Sequence, residues 1–221
     1  FRRVLFRSIG INGSPRTGWN TGMLIEKALE GAAAAGASTK MVNLGKLNFR
    51  PCHSCLVCKK GPKFAGTCYM KDELSPVLEE LKKADAIVLG TPIYFSRESA
   101  LYHAFWERFR FSNYAYTKDF LNANQFPKKK KSAMFFTMNI KEEQFRDFGY
   151  FDLLKKMGDE TKSLLGPDCK TYAATNTLQV KDYSKYDIQS FDPEEKYKSR
   201  KEKFPRDLEE AFKIGKWLAS K

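Results

Sequence analysis

Short apolar runs alternate with amphipathic stretches along most of the chain, and each period predicts an element. Residues 4–12 read as a first strand and 13–18 as a turn-rich loop. Met23, Leu24, Ala28, Leu29 and Ala32 recur at helical spacing and predict a helix over 20–35, broken by Gly36. A second strand is expected at 39–44. Asp72 can cap a helix running to about residue 83, with Leu74, Val77, Leu78 and Leu81 on one face. The runs AIVLG (86–90) and SAMFFTM (132–138) are apolar almost throughout, the mark of strands buried on both faces of a parallel sheet. An aromatic-rich helix is expected at 99–111, another helix at 152–165, and a fifth strand within 169–180. Residues 182–205 read as polar and irregular. A terminal helix over 207–219 follows, with Leu208, Ala211, Phe212, Ile214, Gly215 and Leu218 on its buried side.

Strand and helix thus alternate about five times. That pattern predicts an α/β fold, a doubly wound five-stranded parallel sheet with helices on both faces. Five strands suit the flavodoxin-like order 2-1-3-4-5, which places a ligand beyond the carboxyl ends of the strands, at the switch between the first and third. The chain is read as one domain over 1–221, with a cysteine-rich insertion at 48–70 and an irregular basic segment at 182–205.

Composition changes this picture little. The net charge of +13 is spread over Lys59–Lys60, Lys128–Lys131 and residues 196–203, with no motif that reads DNA or RNA. A solvated face is the simpler account, with Lys128–Lys131 as an exposed connection, and no nucleic-acid partner is expected. No apolar run approaches the roughly eighteen residues of a membrane span. The start lacks the long apolar region and cleavage site of a secretory signal, so a reducing, cytoplasmic setting is expected. The first seven residues lack an initiator Met and are set aside as a fragment edge or scar.

Candidate chemistry lies in three loops. The segment GINGSPRTGWNTGML (10–24) falls between the first strand and first helix, at the switch point. A phosphate there would meet free helix N–H groups, the hydroxyls of Ser14 and Thr21, the amide of Asn20 and the cation of Arg16. Gly13, Gly18 and Gly22 would let the backbone close around it. The spacing is neither G-x-G-x-x-G nor a Walker A loop; the plainer alternative is an ordinary strand–helix turn. The segment GTPIYFSRES (90–99) follows the third strand and offers Pro92, Ile93, Tyr94 and Phe95 as a wall for a flat heterocycle, or simply as packing under the next helix. Residues Thr137 to Asn139 should approach the same crevice. Arg97 and Glu98 read as a surface ion pair.

The third loop holds Cys52, Cys55, Cys58 and Cys68, with nine residues before the last. Three thiols at C-x2-C spacing plus a fourth after Gly61, Pro62 and Gly66 can surround a [4Fe–4S] cluster. A zinc site, a redox dithiol and a loop that binds nothing stay open. His53 reads as exposed, His103 as structural and Cys169 as a small core residue. No catalytic side chain is nominated; the chemistry would belong to cofactors.

GSPR-x3-NT, PC-x2-C-x2-C, ADAIVLGTPIYF and FPRDLEEAFKIGKWL resemble the flavodoxin-fold NADPH-dependent FMN reductase superfamily, and within it the iron–sulfur flavoproteins. The likeness covers most of 9–112 and returns weakly at 182–186 and in the last helix. It implies FMN, with the phosphate around Ser14, Arg16, Asn20 and Thr21 and the isoalloxazine against Pro92, Ile93, Tyr94 and Phe95. It implies an oxidoreductase linked to NAD(P)H or to a ferredoxin-type partner, acting on small redox substrates as a homodimer or homotetramer. A cluster-free NAD(P)H-dependent FMN or quinone reductase, a non-enzymatic electron carrier and a basic nucleic-acid-binding module are the alternatives.

Overall fold

A computed structural model describes residues 6–118 and 123–220; the expected strand residues 4 and 5 lie outside them. Among the described residues six strands form: β1 (Arg7–Asn12), β2 (Ser38–Asn43), β3 (Ala86–Tyr94), β4 (Arg97–Glu98), β5 (Lys131–Thr137) and β6 (Cys169–Ala174). The five long ones lie in the order β2-β1-β3-β5-β6, all parallel, while β4 folds back antiparallel on the end of β3. With β4 counted as an arm of β3, this is the flavodoxin-like order 2-1-3-4-5. The helices are α1 (Asn20–Ala34), α2 (Leu74–Lys83), α3 (Ala100–Ser112), α4 (Tyr150–Leu165), α5 (Pro193–Lys198) and α6 (Phe204–Ala219).

Alternation along the strands sorts side chains into two cores. Ile87, Leu89, Met134 and Phe136 face one layer with Leu78, Leu81, Phe105, Phe109 and Leu164. Ala86, Val88, Ala133, Phe135 and Ala174 face the other, with Leu24, Ile25, Ala211 and Ile214. Small strand residues on that second face let α1 and α6 lie close to the sheet and to each other. Their crossing is so tight that a Cβ on Gly215 would stand 1.8 Å from the Ala28 carbonyl oxygen.

Three expectations are corrected. Residues 91–96 are not a plain loop, because β3 continues to Tyr94 and turns back into β4. The segment 182–205 is not irregular throughout: α5 starts on the Asp192 cap, whose carboxylate accepts from Glu194 N at 3.0 Å, and carries Pro193 in its first turn. One π turn, Ser199–Lys203, joins α5 to α6, and Pro205 falls in the first turn of α6, where an N–H is not needed. Nor is Lys128–Lys131 solvated throughout, although Lys128 and Lys129 are exposed. Lys130 is buried and its ammonium ends the α2–β3 connection on the carbonyls of Lys82 and Ala84. Lys131 opens β5 and reaches the Ser220 carbonyl at 2.9 Å. Among the described residues no helix is long and apolar enough to cross a membrane.

Candidate functional site

Strand β1 ends at Asn12, opposite Gly90, while β3 runs on to Tyr94 beside the crevice. Asn12 is wholly buried and organises the loop beyond it. Its Oδ1 accepts from Ser14 N at 3.0 Å, and its Nδ2 donates to Thr17 O at 3.2 Å and Asn43 Oδ1 at 2.9 Å. Ser14, also buried, accepts from Arg16 N at 3.2 Å. Gly22 is required by close approach: a Cβ there would lie 2.1 Å from the Thr17 carbonyl oxygen. Gly18 has neither a left-handed backbone nor a neighbour within 4 Å of a built Cβ, so one face of the loop is left bare.

Helix α1 begins with Trp19 at its cap position and no side-chain cap. The first-turn N–H groups of a helix have no intrahelical partner, and the macrodipole adds positive potential there. An uncapped start at a switch point fits a phosphate. Two cations flank it. The Arg16 guanidinium lies 5.1 Å from the Trp19 ring, and that of Arg200, in the π turn, 6.0 Å from the same ring. Arg200 also donates to Asn20 Oδ1 at 3.0 Å, and its burial holds its pKa below the usual arginine value. The sequence reading missed both Asn12 and Arg200.

The predicted phosphate ligands are gathered at this helix start, but several have protein partners. Asn20 Nδ2 and Trp19 Nε1 both donate to Leu178 O, at 2.8 and 3.0 Å, and Arg16 Nη1 reaches Gln179 O at 2.5 Å. Three donors of the loop thereby fasten the segment after β6 across it. Thr21 Oγ1 pairs with Thr137 Oγ1 at 2.7 Å.

Across the crevice, β3 and β4 form a two-residue hairpin. Phe95 (φ 48°) and Ser96 (φ 55°) are both left-handed, as a type I′ turn demands. Pro92 and Ile93 are buried, whereas Tyr94 is 43 % exposed and Phe95 entirely so. Ser99 ties hairpin to loop: its N–H donates to Thr91 Oγ1 at 3.1 Å and its hydroxyl to Gly13 O at 2.5 Å. Partial burial raises the Tyr94 hydroxyl pKa while the Arg16 charge opposes it, so loop and hairpin share one electrostatic neighbourhood. Glu98 pairs with His103 Nδ1 at 2.5 Å rather than forming the expected pair with Arg97.

All four clustered cysteines line one small cavity, about 20 Å³, together with Arg108, Phe111 and Ser112 of α3. Left-handed residues at Ser54 (φ 55°) and Leu56 (φ 57°) alternate with the cysteines. Such alternation turns successive N–H groups inward and makes concavities that suit anionic centres. Burial raises the Cys58 thiol, Lys59 pulls it back, and the nearness of Cys55, Cys68 and Cys52 raises it further. The Lys59 ammonium anchors the loop on the carbonyls of Phe111 and Tyr114. The five cysteines are free thiols. Among the described residues no three His, Cys, Asp or Glu side chains stand close enough to grip a metal ion in this conformation. His53 is exposed, as expected, and Cys169 opens β6 half-buried.

A cleft of about 1050 Å³ along α3 and α4 connects these regions. Its lining runs from Arg97 and Glu98 of the hairpin, past Trp106 and Met157, to Cys52 and Ser54 of the cysteine loop.

The model of the NADPH-dependent FMN reductase family matches residues 6–139, which include all three loops. An iron–sulfur flavoprotein of Methanocaldococcus jannaschii is 37% identical over 102 residues, 46% of this chain and 51% of that protein. One from Archaeoglobus fulgidus is 36% identical over 93 residues, 42% of this chain and 43% of that protein. The matches therefore span about half the length of these curated relatives. Among solved structures, an NAD(P)H:quinone oxidoreductase from Methanothermobacter marburgensis superposes with a TM-score of 0.70 at 15% identity, covering 98% of each chain. An FMN-dependent NADH-azoreductase from Bacillus anthracis gives 0.64 at 13%, covering 98% of this chain and all of that one. At such identities these two show the fold alone.

Proposed function

Since the chain belongs to the NADPH-dependent FMN reductase family, we propose that it is an FMN-dependent oxidoreductase of the iron–sulfur flavoprotein type. One observation carries the flavin reading: the uncapped start of α1, with Arg16 beside it, lies across the switch point from the exposed aromatic hairpin. The phosphate would be held by Ser14, Arg16 and the N–H groups ahead of Gly22, with Arg200 adding charge. Asn20 and Thr21 would position that helix start through Leu178 and Thr137. Pro92, Ile93, Tyr94 and Phe95 would bound the isoalloxazine, and backbone N–H groups at 93–95 would meet its polar edge. Bound there, FMN supplies hydride acceptance and return of electrons one at a time. The protein's own part is to bind, orient and shield; no side chain is assigned as general acid or base.

The shared cavity of Cys52, Cys55, Cys58 and Cys68 favours a [4Fe–4S] cluster as a second centre. Four thiolates repel one another until a metal offsets their charge, so a loop of this kind closes on loading. NAD(P)H or a ferredoxin-type protein is the proposed electron partner, small oxidants the substrates, and a homodimer or homotetramer the working form. A cluster-free NAD(P)H-dependent quinone reductase is the second reading, favoured by thiols that do not stand at ligating distance in this conformation.

Anaerobic purification with an absorption spectrum and flavin, iron and zinc assays on one sample tests both. FMN near one per chain with iron and sulfide is the expected result. Cys55→Ala should abolish iron binding and leave FMN bound. Colourless protein that takes up no FMN would overturn the flavin reading, and flavin without iron would leave the quinone-reductase reading.

A further inference from the structure

Arg108 is 1% exposed, the largest fully buried side chain among the described residues. It interrupts the apolar face that Tyr102, Phe105, Trp106 and Phe109 give to α3. Burying a guanidinium costs several kcal/mol unless its charge and all its N–H groups are matched. Here the match is incomplete. Nη1 donates to Asp72 Oδ2 at 2.5 Å and to Arg50 O at 3.1 Å. Nε and Nη2 make no hydrogen bond of ordinary geometry, and against burial, which lowers the guanidinium's pKa, Asp72 and the nearby Cys68 thiol raise it. Arg50 precedes the first clustered cysteine by two residues and Asp72 follows the last by four. One nitrogen therefore clasps both ends of the cysteine loop, and the rest of the fork belongs to a side chain that lines the cavity of the four thiols.

A core arginine that serves only to staple a loop has little reason to leave two N–H directions unspent. A centre held by four thiolates is anionic and gains one more negative charge when reduced. Buried N–H groups of fixed charge beside it would be matched on loading, and would favour the reduced form more than the oxidised one. Asp72 works against this, because its carboxylate cancels part of the guanidinium's field.

We propose that Arg108 is the charge-compensating residue of the cysteine centre, donating through Nε and Nη2 to its sulfur atoms and setting its reduction potential against the counter-charge of Asp72. The inference rests on the cluster reading above and goes beyond it in assigning the potential to this pair. Arg108 is not among the residues proposed above to hold FMN, so bound FMN serves as the readout of an intact fold.

The test uses the FMN-loaded chain, reconstituted anaerobically with ferrous iron and sulfide, as wild type, Arg108→Gln and Asp72→Asn. Iron and FMN per chain are measured, and the one-electron couple is titrated with dithionite under electron paramagnetic resonance. Arg108→Gln should keep FMN and lower the reduced-to-oxidised ratio at a fixed potential at least tenfold, which is about 59 mV for one electron. Asp72→Asn should shift the same ratio in the opposite direction, which a purely structural role does not predict. Iron uptake by the wild type with no shift in either variant, or with shifts of one sign, would overturn the proposal and leave the cluster standing. If Arg108→Gln loses FMN and so has not folded, the sign for Asp72→Asn decides alone. No iron uptake by flavin-loaded wild type would sink the cluster reading and this proposal together.

Discussion

Thr21, in the first turn of α1, and Thr137, at the carboxyl end of β5, share a hydrogen bond of 2.7 Å between hydroxyls 116 residues apart in sequence. Both side chains are buried. The bond pins the helix start to the sheet at the mouth of the crevice. The sequence offers both hydroxyls as cofactor ligands; in the fold one donates to the other, which leaves a single hydroxyl proton of the pair for a ligand.

That pairing predicts non-additive stability. Replacing one partner strands the other's hydroxyl in the core, at a cost of about 1–3 kcal/mol, whereas removing both with isosteric groups costs less than the two losses added. Thr21→Val and Thr137→Val should each lower the urea midpoint, and the double variant should recover part of the loss. Additive losses, or a weakened affinity for FMN at full stability in Thr137→Val, would return that hydroxyl to the ligand set.

The two arginines at the uncapped helix start predict a phosphate-specific effect. Charge-assisted hydrogen bonds are worth about 1.5–3 kcal/mol, so Arg16→Ala and Arg200→Ala should each weaken FMN binding roughly ten- to a hundredfold. Riboflavin, which lacks the phosphate, should bind all three proteins within a factor of about two by fluorescence quenching. Equal losses for FMN and riboflavin would show that these side chains shape the crevice without reading the phosphate.

Phe95 combines full exposure with a left-handed backbone. It gains nothing from packing, and its backbone strain is worth roughly 1–3 kcal/mol. Phe95→Asn, a residue at ease in a type I′ turn, should raise the melting temperature by a few degrees. If the ring is the outer wall of the flavin site, the same variant should raise the KM for small oxidants severalfold. A gain in stability with unchanged kinetics would make Phe95 a surface residue of another kind.

Much of this architecture is legible in the sequence because parallel strands and amphipathic helices write their periods directly. The runs 86–90 and 132–138 land on the two central strands, and the helical spacing from Met23 to Ala32 lands on α1. The hairpin was hidden because its Phe-Ser turn lacks the Asn-Gly or Asp-Gly that marks a type I′ turn. The terminal helix expected over 207–219 forms as part of α6, but the helical turns ahead of it, from Pro193, were hidden by charge density and by Pro205, which the π turn absorbs. Lys130, Lys196 and Arg200 read as solvated charges and Arg108 is not singled out, since no periodicity reveals which long cations turn inward. The candidate positions read from the sequence sit at strand ends, and none was read from the last quarter of the chain, which delivers Arg200.

Lys196 gives the fold a measurable pH dependence. Its ammonium is buried just past the carboxyl ends of β5 and β6, donating to Asn139 O at 2.6 Å and Asn176 Oδ1 at 2.5 Å, and it lies 4.7 Å from the Phe191 ring. Desolvation lowers its pKa from the usual lysine value to about 8. The unfolded chain, at about 10.4, holds its proton through a window where the folded chain has released it. Stability rises with pH wherever the unfolded state binds more protons, so this residue contributes a rising term from about pH 8 to pH 10. Urea midpoints of the wild type and Lys196→Met, taken at intervals from about pH 6 to 10, isolate that term from every other titration. The wild type should gain on the variant across the window, and the difference should level off below pH 7.5. A constant difference would mean that Asn139 and Asn176 solvate the ammonium fully and that burial costs it nothing. A wild type that loses ground to the variant as pH rises would reverse the sign and mean that the neighbouring Glu195 carboxylate outweighs desolvation.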